Sequence, residues 1–482
     1  METLFDKYIQ TVKQTKTILY CGTVSAVRGL LVESQGPQAV IGEICSIKVP
    51  SLKNEIIAEV VGLNNKTVQL MVYGETKGIE IGSEVVASGH VLQVGVGPQL
   101  LGRVLNATGQ AYDRKGDINS QVFYPVIASP PQPLDRKQIT ERIVTGVRSI
   151  DSLLAIGKGQ RLGIFAGSGV GKSTLLSMIA RNTNADVNVI ALIGERGREV
   201  RDFIERDLGT EGLKRSVIVV ATSDQSPLSR LRGAYTATAV AEYFRDQGKD
   251  VMLMFDSVTR FARAQREIGL ATGEPPAQRG YTPSVFETMP KLLERSGTSN
   301  KGTITAFYTV LVDGDDMEEP ISDAVRGILD GHVVLNRKLA QAYHFPAIDV
   351  LQSISRLANR ISGEQTKKAV AAVRNLMAVY SENEDLITIG AYAQGSNEKI
   401  DAAIAAHEKI EEFLRQNENE PSCIEDTLTQ LGLLVGIEIP EEELVAAGSV
   451  PKEEISEQKE QSEQIISVGT DDTIPAVSET TS

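Results

Sequence analysis

The sequence has no tryptophan, three cysteines and four histidines in 482 residues, and each shortage removes a class of answer. Cys21, Cys45 and Cys423 contain no C-x-x-C pair, so they build no disulfide framework and point to a reducing compartment. His90, His332, His344 and His407 are scattered without metal-ligand spacing, which favours structural roles over metal binding. Long apolar runs are missing as well. The longest, such as Val189–Ile193 and Val251–Phe255, reach about a quarter of a membrane span. The amino terminus, METLFDKY, carries early acidic residues and no apolar stretch, unlike a secretory signal. These absences predict a cytoplasmic protein.

What is present is the composition of an ordinary globular chain, 41% hydrophobic and 23% charged, long enough for roughly three domains. The formal charge of −14 argues against nucleic acid as a partner. It is also uneven: Glu438–Ser482 holds 12 acidic residues and 2 lysines, leaving 51 acidic and 47 basic residues in the other 437. That segment is rich in Glu, Gln, Ser and Thr and has no aromatic residue, so it reads as a disordered acidic tail over residues 438–482.

Hydrophobic periodicity divides the remainder. Leu4, Phe5, Tyr8, Ile9 and Val12 fall at helical spacing, which predicts an amphipathic helix over residues 1–17 that packs on its own domain or docks a partner. Residues 18–96 alternate short β-rich runs (Thr17–Val24, Gln38–Val49, Ile56–Val61, Thr67–Val72, Glu84–Val96) with turn signals, the pattern of a small closed β-barrel. Over residues 97–363 the apolar runs Arg161–Phe165, Val187–Ile193, Val217–Ala221, Val251–Phe255 and Thr303–Val310 are separated by helical stretches. One of these is Pro227–Gln247, with Ser226 as N-cap and Gly248 as stop. Runs that do not alternate belong to strands buried on both faces, so this domain is α/β with a mainly parallel sheet. Residues 364–437 carry helical patterns only: Val370, Val373, Met377 and Tyr380; Ile400, Ile404, His407, Ile410 and Leu414; and a third helix opening on a capping box at Ser422 and Glu425.

The most informative stretch is RLGIFAGSGVGKSTLLSMIARN. A buried-type strand runs into Ala166-Gly-Ser-Gly-Val-Gly-Lys-Ser173 and then into a helix, the P-loop pattern with Ala in place of its first Gly. Gly167, Gly169 and Gly171 let backbone N–H groups turn inward around phosphates, and the helix amino terminus adds partial positive charge. Lys172 is placed to reach the β- and γ-phosphates and Ser173 to ligate Mg²⁺; the nucleotide-binding run is Gly167, Ser168, Gly169, Val170, Gly171, Lys172, Ser173 and Thr174. Asp256, after five apolar strand residues, supplies the second metal carboxylate. Glu195 and Arg196 follow the strand Val189–Ile193 on the P-loop edge, Glu195 as a candidate for polarising water and Arg196 for contacting the γ-phosphate. By themselves these two are equally a solvated charged turn.

Taken together, FAGSGVGKSTLL, GERGREVRDFIERDL, DSVTRFARAQREIGLATGEPPAQRGYTPSVFETMPKLLERSG, LVDGDDMEEPISDAVRGILDGHVVLNRKLA and YHFPAIDVLQSISRL resemble the flagellar protein-export ATPases. These are close kin to the ATPases of virulence type III secretion and to rotary ATPase catalytic subunits. The similarity spans about residues 20–437. It implies an N-terminal β-barrel, a RecA-like ATPase domain, a C-terminal helical domain and a homohexameric ring that hydrolyses ATP with Mg²⁺ to drive protein export. It further implies Glu195 as the catalytic carboxylate and Arg356 as an arginine finger reaching the neighbouring subunit. Phe345 and Pro346 would lie at the adenine ring, with Arg260 near the phosphates, and Asp313–Asp316 would form a loop facing the central channel. Implied partners are a regulatory protein at the N-terminal helix, a central stalk, chaperones and export-gate proteins, which would hold the chain at the cytoplasmic face of the inner membrane.

Three other readings compete. A virulence export ATPase differs mainly in its surroundings. A proton-coupled synthase subunit would need a separate non-catalytic partner chain, whereas loop, base and finger here share one polypeptide. A hexameric RNA helicase similar to the transcription terminator combines similar domains, but the body of the chain is not basic and shows no RNA-binding aromatic motif. The acidic tail has no counterpart in the family, and Asp313 stands where Glu is more usual.

Overall fold

The structure, a computed structural model, describes residues 19–49, 55–64, 67–312, 314 and 316–448. The expected amino-terminal helix, residues 449–482 of the tail, Asp313 and Asp315 lie outside the described residues.

Six antiparallel strands, β1 (Cys21–Arg28), β2 (Leu31–Gln35), β3 (Glu43–Lys48), β4 (Ile56–Asn64), β5 (Thr67–Val72) and β6 (Glu84–Val91), close in the order β1-β2-β5-β4-β3-β6. Alternate residues such as Val24, Val32, Ile47, Val60, Leu70 and Val85 fill the interior, and closure leaves no free sheet edge. Cys45 is among them, its thiol pushed up to about 12 mainly by burial, so it is unreactive. The apolar run to Val96 is two strands, not one. Val85 and Ala87 face the barrel interior, but after Leu92 the chain enters β7 (Gln93–Val96), whose Val94 and Val96 join the next core.

Beyond it come β8 (Val104–Leu105), β9 (Val122–Pro125, paired with β7) and the short pair β10 (Arg142–Ile143) and β11 (Ile156–Gly157). The main strands are β12 (Arg161–Ala166), β13 (Val187–Ile193), β14 (Ser216–Ala221), β15 (Asp250–Asp256), β16 (Gly297–Thr298), β17 (Thr303–Leu311), β18 (Gly331–Leu335) and β19 (Ile348–Ser355). The sheet runs β19-β18-β12-β17-β15-β13-β14-β8, with β16 appended to β17. All pairs along the main order are parallel except β18–β19. Consecutive residues feed opposite cores: Val189, Ala191, Leu253 and Phe255 one side, Ile190, Leu192, Met252 and Met254 the other. Strands β18 and β19 escaped the sequence reading because β18 is short and the outer strand β19 mixes buried with exposed positions and carries no continuous apolar run.

Helices Glu364–Thr388, Glu398–Leu414 and Ile424–Val435 form the C-terminal domain. Tyr380 and His407 stack between the first two, with ring centroids 3.5 Å apart. Two expectations need correction. Cys423, not Ser422, is the N-cap of the third helix and makes no side-chain cap bond, while the Ser422 hydroxyl engages Thr427 at 2.7 Å. The tail is also ordered up to Gly448. Leu444 is buried in the helix Glu441–Ala446, and Glu443 accepts hydrogen bonds from the Gln365 and Thr366 N–H groups, both at 2.9 Å, and from the Thr366 hydroxyl at 2.7 Å. A carboxylate from the apparent tail thereby caps the long helix Glu364–Thr388. Composition could not show this, because three buried apolar residues, Ile439, Leu444 and Ala447, and one capping acid are enough to hold so short a segment.

Barrel and sheet domain are joined by buried charge. Glu59 of β4, 1% exposed, accepts from the Arg232 Nε of helix Pro227–Asp246 at 2.8 Å and from the Tyr73 hydroxyl at 2.6 Å. Ser226 and Ser229 donate to the Tyr73 carbonyl at 3.0 and 2.6 Å. Removing one member of such a pair leaves the other charge uncompensated. Glu59→Ala should therefore destabilise the chain by about 3–5 kcal/mol in urea unfolding, with Glu59→Gln milder.

Candidate active site

The site lies at the carboxyl edge of the sheet, where parallel strands release their loops. β12 delivers residues 167–171 to helix Lys172–Asn182. Gly169 and Gly171 have φ of 79° and 90°, left-handed values that a side chain resists. Val170 is buried at 2% exposure and anchors the loop in the core, whereas Ser168 and Gly169 are exposed. Gly171 is the N-cap and no side chain caps the helix. Its first-turn N–H groups are therefore placed for an anion. Ser173 is exposed at this mouth and Thr174 is half-buried.

Register brings the charged groups together. Leu192 of β13 lies beside Asp256 at the end of β15, so Glu195, just past β13, emerges next to Asp256. The Lys172 ammonium pairs with Asp256 Oδ1 and stands 3.6 Å from Glu195 Oε1. Thr309 of β17 donates its hydroxyl to Asp256 Oδ1 at 2.7 Å. Burial works to lower the Lys172 pKa, but Asp256 and Glu195 outweigh it and hold the ammonium charged. Glu195 is pushed up to about 7 by burial first and by the Asp256 charge second, against the opposing pull of Lys172 and Arg260. Its buried Oε1 has no hydrogen-bond partner. A carboxylate titrating near neutrality beside an anion cradle is suited to take a proton from water. Hard oxygen donors for a divalent cation are present in Asp256, Glu195 and Ser173. Among the described residues no group of three or more His, Cys, Asp or Glu side chains forms a further metal site.

The three arginines singled out from the sequence divide. The Arg260 stem packs on Gly194, where a Cβ would come within 2.8 Å of it, and its charge reaches Glu195. Arg196 does not join the cluster: its side chain is 81% exposed and pairs with Glu199 at 3.5 Å. It is the N-cap of the short helix Gly197–Asp202. Arg356 is exposed and lies at the opposite edge of the sheet. Antiparallel β19 sets Ser355 against Gly331 at the start of β18, and His332 against Gly163 of β12. Arg279, positioned by a backbone φ of 46°, pairs with Asp316 at 3.1 Å.

Beside the loop is a cleft of about 580 Å³, lined by Gly171, Thr174, Leu175 and Met178, by Tyr343, Phe345 and Pro346, and by residues 415–418. A methyl group built on Gly171 would lie 3.5 Å from the Phe345 ring, so an aromatic face and the phosphate cradle adjoin. A larger cavity of about 900 Å³, between barrel and sheet domain, contains Tyr73, Asn106 and Phe123 but no comparable charge cluster. Sequence reasoning missed Thr309, whose signal was a hydroxyl within a buried apolar strand. It also missed residues 415–418, which nothing local connects to the loop.

Three family models match: the ATP synthase alpha/beta family β-barrel domain over residues 24–89, its nucleotide-binding domain over 146–355, and the T3SS EscN ATPase C-terminal domain over 362–432. The flagellum-specific ATP synthase of Treponema pallidum (strain Nichols) is 62% identical over 436 residues, covering 90% of this chain and 98% of that protein. Two structures of the assembled ATPase EscN from the enteropathogenic E. coli type III secretion system, one in complex with its central stalk EscO, superpose with TM-scores of 0.82 and 0.80 at 43% identity. Each covers 86% of this chain and 100% of that one. The chain therefore belongs to the family of flagellum-specific ATP synthases and type III secretion ATPases.

Proposed function

We propose that the chain is a ring-forming, Mg²⁺-dependent ATPase that energises protein export for flagellum assembly at the cytoplasmic face of the inner membrane. The observation that carries this is the Lys172–Asp256–Glu195 cluster at the mouth of the P-loop. The flagellar assignment follows the higher identity to the flagellum-specific relative than to EscN. Chemistry, location and assembly rest on the same few residues. Gly167–Gly171 and the helix amino terminus hold the phosphates, and Lys172 turns its charge toward them. Glu195 orients the attacking water and accepts its proton. Two carboxylates sharing one ammonium, one with an orphaned oxygen, fit a divalent cation. Ser173 and Asp256 would hold Mg²⁺, which when bound neutralises charge on the transferring phosphate. Phe345 and Pro346 offer the base a stacking surface.

Arg356 lies across the sheet from its own P-loop, so it can serve only a neighbour's site. An identical subunit supplies that neighbour, which argues for a homohexamer by the family's resemblance. Export-gate proteins, chaperones, a stalk near Asp316 and a regulator at residues 1–17 complete the reading. A synthase working with a separate non-catalytic chain is disfavoured because base and finger share this polypeptide, and an RNA helicase finds no support in the matching families.

Lys172→Ala should abolish ATP binding, whereas Glu195→Gln should bind ATP and lose turnover by at least about 100-fold in phosphate release; normal hydrolysis by Glu195→Gln would remove the base from Glu195. Because this carboxyl is raised to about 7, its ionised form accumulates only above that pH, and kcat/KM for ATP should fall on acidification through an apparent pKa near 7. The same shift opposes folding: the native state holds the proton more tightly, so stability from this group is lost as pH rises from the unfolded carboxylate range toward 7. Without nucleotide, Glu195→Gln should melt higher than wild type at pH 8 and indistinguishably at pH 4. Arg356→Ala rings and Glu195→Gln rings should each be nearly inactive, yet mixing dissociated subunits should restore hydrolysis. Restoration is expected because some interfaces then combine an intact Glu195 with an intact Arg356; absence of recovery would place Arg356 in its own site.

A further inference from the structure

Phe345 is held from both sides by the C-terminal domain. Its own carbonyl accepts from the Gln416 N–H at 2.9 Å. The preceding residue, His344, is 3% exposed and places Nδ1 2.8 Å from Glu411 Oε2, on the last turns of helix Glu398–Leu414. Its backbone N–H donates to the Leu339 carbonyl at 3.0 Å. On the other side of this histidine Tyr343 is 86% exposed, holds a φ of 56° and sets its ring edge-on to Phe345, centroids 6.4 Å apart. A non-glycine residue in the left-handed region persists only where its surroundings enforce it. Tyr343 takes that conformation as it terminates the short helix Arg337–Gln341, its N–H donating to the Ala340 carbonyl at 3.1 Å and the next one, of His344, to Leu339.

The Glu411 carboxyl is held below the ordinary glutamate range, chiefly by the hydrogen bond from His344. It is therefore an acceptor, and the proton of the short contact belongs on His344 Nδ1. The other charged or titratable groups at this carboxylate are Arg415, 4.0 Å away one turn later, and His407, one turn earlier. Arg415 and Gln416 also line the nucleotide cleft opposite Phe345. One helix end thus sets both walls of the cleft.

We propose that His344 is a positioning residue for the nucleotide base: its bond to Glu411 fixes the Phe345 ring over the P-loop and ties the C-terminal helical domain to base binding. This rests on the reading of the cleft as the base site. His344 touches no substrate. It acts through Phe345, so its loss weakens ATP binding while the hydrolytic cluster around Lys172 is untouched. Nucleotide occupancy and the position of helix Glu398–Leu414 are linked in both directions, because whatever shifts Glu411 shifts the stacking ring.

The sequence offers a probe, since the chain has no tryptophan: Phe345→Trp installs a single reporter at the stacking position. In the assembled full-length protein carrying it, Mg-ATP and Mg-ADP should change the emission saturably. His344→Ala and Glu411→Ala should each raise KM for ATP, and the nucleotide concentration at half-maximal emission change, by roughly ten- to a hundredfold, the loss of one hydrogen bond to a charged group. kcat should stay within about twofold, the split expected when only ground-state and transition-state binding are lost equally. The double variant should be no worse than either single one. His344→Asn, whose amide nitrogen can stand near the Nδ1 position, should recover most of the affinity. Melting curves identify any variant that is merely unfolded, and Glu411→Ala, at a half-buried helix position, supplies the measurement if His344→Ala is. Unchanged KM in Glu411→Ala, a fall in kcat instead, additive effects in the double variant, or no rescue by Asn would each overturn the proposal. If the tryptophan responds to nucleotide in all variants with unchanged affinity, the positioning role fails while the base site stands. If it never responds, and Phe345→Ala leaves KM unchanged, the base site itself is misplaced.

Discussion

A single buried ammonium faces two carboxylates at the carboxyl edge of the sheet, and much of the domain serves to keep it there. Lys172 is charged because Asp256 and Glu195 are near, and each acid is tolerated out of water because the lysine is near. Neither half is stable without the other. Their meeting depends on the strands β12, β17, β15 and β13 ending in register, so that the first residue of a helix after β12, the last residue of β15 and the turn after β13 converge. Thr309, level with them on β17, fixes Asp256 from a fourth direction. The same crowding leaves Glu195 with a proton affinity near neutrality, which is both its chemical use and its cost to the empty protein.

The sheet has two working edges with different charge. The carboxyl edge holds the acids and the phosphate cradle; the opposite edge presents Arg356, backed by Arg326, whose carbonyl it approaches at 3.5 Å. A rigid parallel sheet cannot bring its two edges together within one chain, so a site that needs both is completed between subunits. The third contribution, the surface beside the base, comes from the loop before β19 and from the end of helix Glu398–Leu414. On the proposed reading, phosphate, cation and base would be held by separate parts of the fold, and relative movement of those parts would be felt at the nucleotide.

Legibility in the sequence followed locality. Gly167–Ser173 and Asp256 were readable because loop geometry and strand-end chemistry are written in consecutive residues. Glu195 was readable as a charged turn, but its role came from resemblance, and Arg196 beside it looked equally chemical. Only the backbone direction after Gly194 separates them, turning one side chain inward and leaving the other 81% exposed. The barrel was visible from its turns, though not the break at Leu92, where successive valines change cores. Composition misjudged residues 438–448, since Leu444 and Glu443 dock on a helix start about eighty residues earlier in the chain.

By itself the sequence determined the chemistry available: a P-loop motif, a carboxylate at a strand end, a candidate base, and a chain divided into barrel, parallel sheet and helices. These follow from short-range rules of periodicity, glycine conformation and strand burial. Tertiary structure decided which charges share a half-buried space, that Glu195 rather than Arg196 faces Lys172, that Arg356 lies at the opposite edge from its own loop, and that His344 joins Glu411. Those pairings join residues from about twenty to more than eighty positions apart. They are set by strand register and helix docking, which no local pattern in the chain encodes.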